Sequence, residues 1–262
     1  MSTDHTANNQ PQVYLFVTCL ADLFRPSVAF DSIALLERAG CSVFVPPSQT
    51  CCGQPAYNTG DYESTVPLAQ QVIAMLEPAQ YVVLPSGSCA GMITQHYPEL
   101  LEGQWRERAL QLAAKTFELT CFLNDVMKVN RDGAPPYSLP SVTYHDSCAG
   151  LRELGVQAQP RKLLQTLCDT RVTEMQQSDV CCGFGGTFCA KMPGISTKMV
   201  DDKLGNAAAT QATILAGGDL GCLLNIAGRA QRTGQAIEVR HIAELLNGNI
   251  SGPAIGEGEQ DR

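Results

Sequence analysis

Residues 41–53 read CSVFVPPSQTCCG, a short apolar run that leads through a polar, proline-containing stretch into two adjacent cysteines and a glycine. The same triplet returns at residues 181–183. Each triplet lies between one cysteine upstream and one downstream, which are Cys19 and Cys89 for the first and Cys148 and Cys222 for the second. Corresponding cysteines are 129, 130 and 133 positions apart. One cysteine pattern therefore occurs twice, which indicates a duplicated metal or redox site.

Short apolar runs rich in β-forming residues alternate with stretches whose apolar residues recur at helical spacing. The predicted strands are 13–18, 41–46, 81–85, 142–145 and 171–175, and the predicted helices include 27–40, 63–77 and 160–169. The cysteines of the pattern fall at the ends of these strands or in the loops after them, where open α/β sheets bind ligands. The predicted fold class is α/β with two pseudo-symmetric halves. Each half is a mostly parallel sheet flanked by helices, with the cysteine loops at the C-terminal ends of the strands.

The repeat divides the chain into four predicted parts. Residues 12–102 form a first repeat domain, 103–138 a helical connector and 139–247 a second repeat domain. Residues 248–262 are rich in glycine and acidic side chains and are expected to be a flexible tail.

Charge and hydropathy narrow the range of functions. The 262 residues include 18 basic and 26 acidic side chains, a net charge of −8 that repels nucleic-acid phosphates. No apolar run reaches the roughly 18–20 residues of a membrane span, and the polar N-terminus lacks a secretory signal. These features predict a cytoplasmic protein. Twelve cysteines in a reducing compartment indicate metal or redox chemistry rather than disulfides.

The adjacent cysteines favour a cluster of several metal atoms over a single ion. Structural zinc is usually held by two short Cys-x-x-Cys turns, and neither half contains that arrangement. Neighbouring side chains in extended backbone point apart, so two adjacent thiolates suit different irons of one cluster. Four thiolates in each half meet the usual requirement of a [4Fe–4S] cluster. A zinc-stabilised or thiol-only scaffold without redox activity remains the alternative from a different class.

Several segments resemble the cysteine-rich, or CCG, family of iron–sulfur oxidoreductase proteins. They are CLADLFRP at 19–26, CCGQPAYNTGD at 51–61, PSGSCAGM at 85–92, YHDSCAGLRELG at 144–155 and CCGFGGTFCAKMP at 181–193. The resemblance covers roughly residues 12 to 247. It is strongest to the lactate-utilisation branch. Other members of the family are the cysteine-rich component of heterodisulfide reductase and the iron–sulfur subunit of glycolate oxidase.

The resemblance implies an electron-transfer subunit of an oxidoreductase complex, with oxidation of L-lactate to pyruvate as the expected reaction. It implies one or two iron–sulfur clusters, of the [4Fe–4S] type. It also implies a ferredoxin-like iron–sulfur partner, a third subunit and a small 2-hydroxy acid as the substrate of the complex. A glycolate oxidase-like or heterodisulfide reductase-like subunit is the alternative within the family. The implied ligands are Cys19, Cys51, Cys52 and Cys89 for one cluster, and Cys148, Cys181, Cys182 and Cys222 for the other.

The chain departs from the family pattern at one position in each half. Where the heterodisulfide reductase type ends each repeat with Cys-x-x-Cys, this chain has Ser86 before Cys89 and Asp219 before Cys222. Four cysteines per half still suffice for an ordinary cluster, whereas the five-cysteine sites that cleave disulfides are incomplete. Ser86 and Asp219 are additional candidate oxygen ligands, and hydrogen bonding to cluster sulfur or backbone is the alternative.

The remaining candidate residues have ordinary structural explanations beside the functional ones. Cys41, Cys121 and Cys168 lie in apolar patterns and are expected in the core, and Cys189 is expected to be a bystander of the second triplet. His145 is either a hydrogen-bonded structural histidine or a group that tunes the second cluster. His96 and His241 are expected to cap or pack helices. Arg25 and Arg152 are expected to form salt bridges, with charge compensation of a cluster or binding of a carboxylate substrate as the functional alternatives. The sequence contains no flavin or nicotinamide fingerprint and assigns no catalytic residue.

Overall fold

The computed structural model describes residues 10–131 and 139–258. The expected lead-in at residues 1–9, part of the connector at 132–138 and the end of the tail at 259–262 lie outside the described residues. The elements of the first half are β1 (Gln12–Leu15), α1 (Cys19–Phe24), α2 (Ser27–Arg38), β2 (Ser42–Phe44), α3 (Gln54–Tyr57), α4 (Tyr62–Leu76), β3 (Tyr81–Leu84), α5 (Gly87–Gly91), a π-helical turn (Met92–His96), α6 (Tyr97–Leu100), α7 (Gly103–Ala113), β4 (Thr116–Glu118), α8 (Leu119–Cys121) and a second π-helical turn (Phe122–Val126). Those of the second half are β5 (Val142–His145), α9 (Cys148–Leu154), α10 (Ala158–Cys168), α11 (Phe188–Lys191), α12 (Pro193–Ala209), β6 (Ile214–Gly217), α13 (Leu220–Thr233), β7 (Glu238–His241) and α14 (Ile242–Asn247).

The two halves have the same sheet topology, which confirms the predicted α/β fold with two pseudo-symmetric halves. The first sheet has the order β2-β1-β3-β4 and the second the order β5-β6-β7, and all strand pairs are parallel. In the second half, a single parallel bridge between Val142 and Val172 lies beside β5, at the position that β2 occupies beside β1 in the first half. The predicted strand at 171–175 is therefore reduced to one bridge.

The central strands β3 (YVVL) and β6 (ILAG) are buried on both faces, which explains their apolar composition. Val82, Val83 and Leu84 of β3 are fully buried, as is Leu215 of β6. A central apolar cluster draws Val13 and Leu15 from the first half together with residues of the second half, among them Val142, Leu163, Ile214, Ile242 and Leu245. The two halves therefore share one hydrophobic core.

Two segments differ from the sequence-based expectation. The stretch expected as a helical connector contains β4, which pairs with β3 as the fourth strand of the first sheet. The stretch expected as a flexible tail packs against β7, because the Ile255 N–H donates to the Val239 carbonyl at 2.9 Å and Ala254 is buried. Apolar side chains in a glycine-rich segment thus hold it to the sheet as far as Ile255.

The pseudo-symmetry brings helices of one half against helices of the other. Helix α5 packs against α9, and in the equivalent position α13 packs against α1. Helices α14 and α2 pack together in the same way as α10 and α8. No helix among the described residues is long and apolar enough to cross a membrane.

Candidate metal centres

The strand ends deliver the outer cysteines to one edge of each sheet. Cys19 is the first residue of α1, which follows β1, and Cys148 is the first residue of α9, which follows β5. Cys89 lies in α5 after β3, and Cys222 is the third residue of α13 after β6. Parallel strands place these helices at the same end of their sheet. The two predicted cysteine sets therefore meet at the edge where the sequence analysis expects them.

Glycine is required at the third position of each triplet. Gly53 has φ +85° and Gly183 has φ +86°, a left-handed conformation that side chains disfavour. In this conformation each glycine N–H donates to the sulfur two residues earlier, at 3.4 Å from Cys51 Sγ and from Cys181 Sγ. The Cys-Cys-Gly triplet is thus a turn that aims a backbone N–H at thiolate sulfur.

The first cysteine set consists of two close pairs of sulfur atoms. The Cys19 thiol donates to Cys51 at 3.7 Å, and the Cys52 thiol donates to Cys89 at 3.4 Å. Hydrogen bonds from Cys19, Cys52 and the Gly53 N–H lower the pKa of the Cys51 thiol well below its ordinary value. Cys52 is buried, and thiol contacts and desolvation raise its pKa. The arrangement stabilises a thiolate at one position while the fully buried partner keeps its proton.

The second cysteine set repeats this arrangement and adds a histidine. Contacts with Cys148 and Cys182, together with the Gly183 N–H, lower the pKa of Cys181. A ligand atom of His145 lies within 4.8 Å of the sulfurs of Cys182 and Cys222, which also lie within that distance of each other. The Cys182 contact and the nearby imidazole together lower the pKa of Cys222 to about 7, against the opposing effect of burial. No other group of three His, Cys, Asp or Glu ligand atoms comes this close within the described ranges.

The spread of the first set fits a cluster better than a single ion. Four thiolates around one zinc ion would be about 3.8 Å apart in every pair, given tetrahedral Zn–S bonds of about 2.3 Å. Within residues 10–131 and 139–258, no three sulfurs of the first set lie within 4.8 Å of one another. All twelve cysteines are free thiols, so none of the eight is consumed by a disulfide. The donor set therefore fits a group with several metal atoms.

A cavity of about 390 Å³ lies between the halves and is lined by both cysteine sets. Its wall includes Cys19, Cys51, Cys52 and Cys89 of the first set, with Cys148 and Cys222 of the second. Close packing of α5 on α9 forms one side, because a Cβ on Gly87 would lie 2.6 Å from the Cα of Gly150. Both cysteine sets thus contribute to one shared cavity, although Cys181 and Cys182 are not part of its wall.

Ser86 and Asp219, the two positions that depart from the family pattern, bind each other. The Ser86 hydroxyl donates to Asp219 Oδ1 at 2.7 Å, and the Ser88 hydroxyl donates to the same oxygen at 2.6 Å. The Ser88 N–H donates to Oδ2 at 3.0 Å. Ser86 and Asp219 are both buried, so these bonds form a polar clasp between the halves, made of Ser86, Ser88 and Asp219. A role of either residue as an iron ligand stays a prediction.

The other candidate cysteines divide between core and loop. Cys41 and Cys168 are buried in the central apolar cluster, as expected. The Cys189 thiol donates to the Gly186 carbonyl at 3.5 Å. Cys121 is partly buried and immediately precedes the second π-helical turn.

The basic candidates and two of the histidines hold elements together. Arg25 of the first half donates to Glu244 of the second at 2.7 Å, an ion pair with a buried carboxylate. Arg152 lines the shared cavity. His241 is the N-cap of α14, and His96 lies between the carboxylates of Glu99 and Glu153.

Sequence reasoning missed Ser88 and did not separate the two explanations of His145. Ser88 belongs to the clasp because it contacts Asp219, which lies 131 positions away, and no local sequence pattern predicts that contact. His145 lies 129 positions after Phe16, the same offset as Cys148 after Cys19. Comparing equivalent positions of the repeat would therefore have marked it as a difference between the halves.

Comparison with known proteins agrees with the duplication. The family model described as a cysteine-rich domain, CCG, matches residues 13–94 and again 142–227. The chain is 48% identical to lactate utilization protein A of Shouchella clausii over 237 residues, which are 90% of this chain and 98% of that protein. It is 48% identical to the protein of the same name from Geobacillus kaustophilus, with 90% and 98% covered. For the Halalkalibacterium halodurans protein the identity is 47%, with 90% and 96% covered.

Proposed function

Because this chain belongs to the cysteine-rich CCG domain family, we propose that it is the iron–sulfur electron-transfer subunit of an oxidoreductase complex. The observation that carries the proposal is the pair of four-thiol sets, each built on a Cys-Cys-Gly turn. All four cysteines of the first set and Cys148 and Cys222 of the second line one cavity. The ligands would be Cys19, Cys51, Cys52 and Cys89 for the first centre, and Cys148, Cys181, Cys182 and Cys222 for the second.

The bound group, of the [4Fe–4S] type, supplies one-electron transfer, and the chain supplies its environment. The Gly53 and Gly183 N–H groups donate to thiolate sulfur, which stabilises the more negative state of a centre. Buried Cys52 and Cys182 keep part of each set away from water. The side chains of the clasp fix the distance between α5 of the first half and α13 of the second.

The reaction of the complex is proposed to be the oxidation of L-lactate to pyruvate. The name of the relatives supports lactate as the substrate, since all three are called lactate utilization protein A. The proposed partners are a ferredoxin-like iron–sulfur subunit and a third subunit, acting in the cytoplasm. Substrate oxidation itself is assigned to no residue of this chain. Ser86 and Asp219 replace the fifth cysteine of each half, which argues against disulfide reduction as the reaction.

The test is reversible reduction of the anaerobic protein by its substrate. The protein is purified without oxygen, mixed with the two partner proteins, and given L-lactate or glycolate in separate samples, while a disulfide is added as an electron acceptor to a sample already reduced with dithionite. We expect L-lactate to bleach the visible absorbance of the iron–sulfur centres, and air or a quinone to restore it. Bleaching by glycolate alone would reassign the substrate. Failure of every donor to change the absorbance would contradict a role in electron transfer.

One observation favours a second candidate, a zinc site that stabilises the assembly. His145, Cys182 and Cys222 bring three donors within 4.8 Å, a spacing that suits a single tetrahedral ion. Metal and sulfide analysis separates the two candidates. Stoichiometric zinc without acid-labile sulfide would support the scaffold, and iron with equal sulfide supports electron transfer.

A further inference from the structure

His145 is a buried imidazole whose ring nitrogens have no oxygen or nitrogen partner. Its side chain is 1% exposed, and among the described residues the polar group that acts on it is the Cys222 thiol of the second cysteine set. It is the only side chain in those ranges with two buried polar atoms left unpaired. An unpaired buried polar group costs about 1–3 kcal/mol, and an ion or ligand is one explanation of its retention. The ring lies beside the sulfurs of Cys182 and Cys222.

The equivalent position of the first half holds no donor. Phe16 precedes Cys19 by three residues, as His145 precedes Cys148, and the two residues lie at the ends of the equivalent strands β1 and β5. Phe16 is 0% exposed and packs in the apolar cluster of the first half. A buried phenyl ring occupies this position without an unpaired polar atom, so the fold itself does not require an imidazole there.

The oxygen donors near the second set are already engaged. Asp219 stands where the family pattern has a fifth cysteine, and both of its carboxylate oxygens accept hydrogen bonds from Ser86 and Ser88. The unpaired imidazole of His145 is therefore the additional donor that the second set offers to a metal.

We propose that His145 is a nitrogen ligand of the metal centre held by the second cysteine set. This inference rests on the proposed function for the identity of the metal group, and on geometry for the ligand. The first centre is then bound by thiolates alone. Because a [4Fe–4S] cluster takes one protein ligand per iron, the imidazole at the second centre binds one iron in place of one of the four thiols. Histidine ligation changes the reduction potential of iron–sulfur centres, so the duplicated sites differ in potential despite their common pattern.

The experiment detects nitrogen bound to the metal. Protein is produced with ¹⁵N-histidine or with unlabelled histidine, reduced anaerobically, and examined by electron spin-echo envelope modulation. We expect a strongly coupled imidazole nitrogen in the wild type, with the coupling pattern changed by the label. The wild-type comparison needs no substitution, so it stands even where a variant fails to fold. Absence of imidazole coupling in iron-loaded wild type would overturn the proposal.

Variants assign the nitrogen to one histidine. H145F, which copies the first half, loses the coupling, and H96Q, at a partly exposed histidine beside the cavity, keeps it. H145C restores a donor without nitrogen: it resists iron loss to a chelator, whereas H145F releases iron about tenfold faster or more. Persistence of the coupling in H145F would overturn the assignment.

Failure of the proposed function has a different signature. Zinc without acid-labile sulfide would contradict the electron-transfer role, and His145 would then be tested by zinc K-edge absorption on the wild type and H145F. Loss of the imidazole scattering in H145F would retain the ligand inference, and an unchanged spectrum would overturn it. A protein that binds no metal would overturn both.

Discussion

The glycine of each Cys-Cys-Gly triplet acts through its conformation. At φ +85° and +86° the backbone turns so that an N–H faces the first cysteine of the triplet. The two glycines differ in the space around them. A Cβ on Gly53 would approach Thr65 Cγ2 to 3.3 Å, whereas a Cβ on Gly183 would lie 2.7 Å from the backbone oxygen of Ser196. The second turn is therefore the less tolerant of substitution.

We predict that G183A destabilises the protein more than G53A does. A left-handed alanine costs about 1–2 kcal/mol at either position, and the contact with the Ser196 backbone adds to this in G183A. Anaerobic urea unfolding measures the difference. The matched control is G194A, in α12, where a Cβ meets no atom within 4 Å and φ is not positive. Equal stability of all three variants would show that the turns do not need glycine.

The clasp gives a second prediction at the level of single residues. D219A leaves the hydroxyls of Ser86 and Ser88 and the Ser88 N–H without their acceptor, so we expect a loss of about 3 kcal/mol in the free energy of unfolding. Urea unfolding measures this loss. D202A, which removes an exposed i,i+4 ion pair with Lys198, is the control and should change stability by less than about 0.5 kcal/mol.

Iron analysis of D219A distinguishes the clasp from a metal ligand. A variant with normal stability and reduced iron would identify Asp219 as a ligand and would contradict the clasp. The sequence could locate Ser86 and Asp219 because both interrupt a repeated cysteine pattern. It could not show that they bind each other, because their contact joins positions 133 residues apart and depends on the packing of the two halves.

At the scale of elements, the last strand of each sheet ends in a buried residue that caps the following helix. Glu118 accepts from the N–H groups of Thr120 and Cys121 at the start of α8. His241 occupies the equivalent place before α14, where its Nδ1 accepts from the Ala243 N–H. Burial raises the pKa of Glu118 to about 7 and lowers the pKa of His241. Both shifts favour the neutral form of a group enclosed by the fold.

The raised pKa of Glu118 predicts that the free energy of unfolding depends on pH. In the folded protein Glu118 keeps its proton up to about pH 7, whereas in the unfolded chain it loses it near its ordinary pKa of 4.5. Its contribution to stability is therefore complete below about pH 4.5, declines as the pH rises to about 7 and is absent above. E118Q removes this titration. We expect the free energy of unfolding of E118Q, relative to that of the wild type, to increase by about 3 kcal/mol from pH 4.5 to about pH 7.

Urea unfolding over this pH range checks the dependence on Glu118. E107Q, which changes an exposed glutamate of α7, is the control and should parallel the wild type at every pH. An E118Q curve that also runs parallel to the wild type would show that the Glu118 carboxyl titrates normally in the folded protein.

The sequence predicted the long elements and missed the short ones. The pattern of apolar residues was long enough to predict helices α2, α4 and α10 and strands β1, β3 and β5. Strand β4 has only three residues and follows a helix directly, so its pairing with β3 decides its conformation. The segment at 171–175 has strand-forming residues but lies at a sheet edge, where a single bridge satisfies it. In both cases tertiary contacts overrode the local pattern.

At the scale of the whole molecule, the duplication produces a single structure with two unequal sites. The central apolar cluster takes residues from both halves, and the ion pair of Arg25 with Glu244 crosses between them. The repeat spacing predicted the pseudo-symmetry because equivalent elements carry equivalent cysteines. The two sites differ because His145 stands where the first half has Phe16. The sequence alone could not show the consequence of this difference, because it depends on the position of the buried imidazole beside Cys182 and Cys222.

We propose that each four-cysteine set holds its own iron–sulfur centre. Iron and acid-labile sulfide, measured on anaerobically purified wild type and on the double variants C51S/C52S and C181S/C182S, test it most directly. C189S, which replaces a cysteine outside both sets, is the control. We predict about eight iron and eight sulfide per chain in the wild type and C189S, and about half of each in either double variant. Zinc in place of iron, or unchanged iron in C181S/C182S, would contradict it.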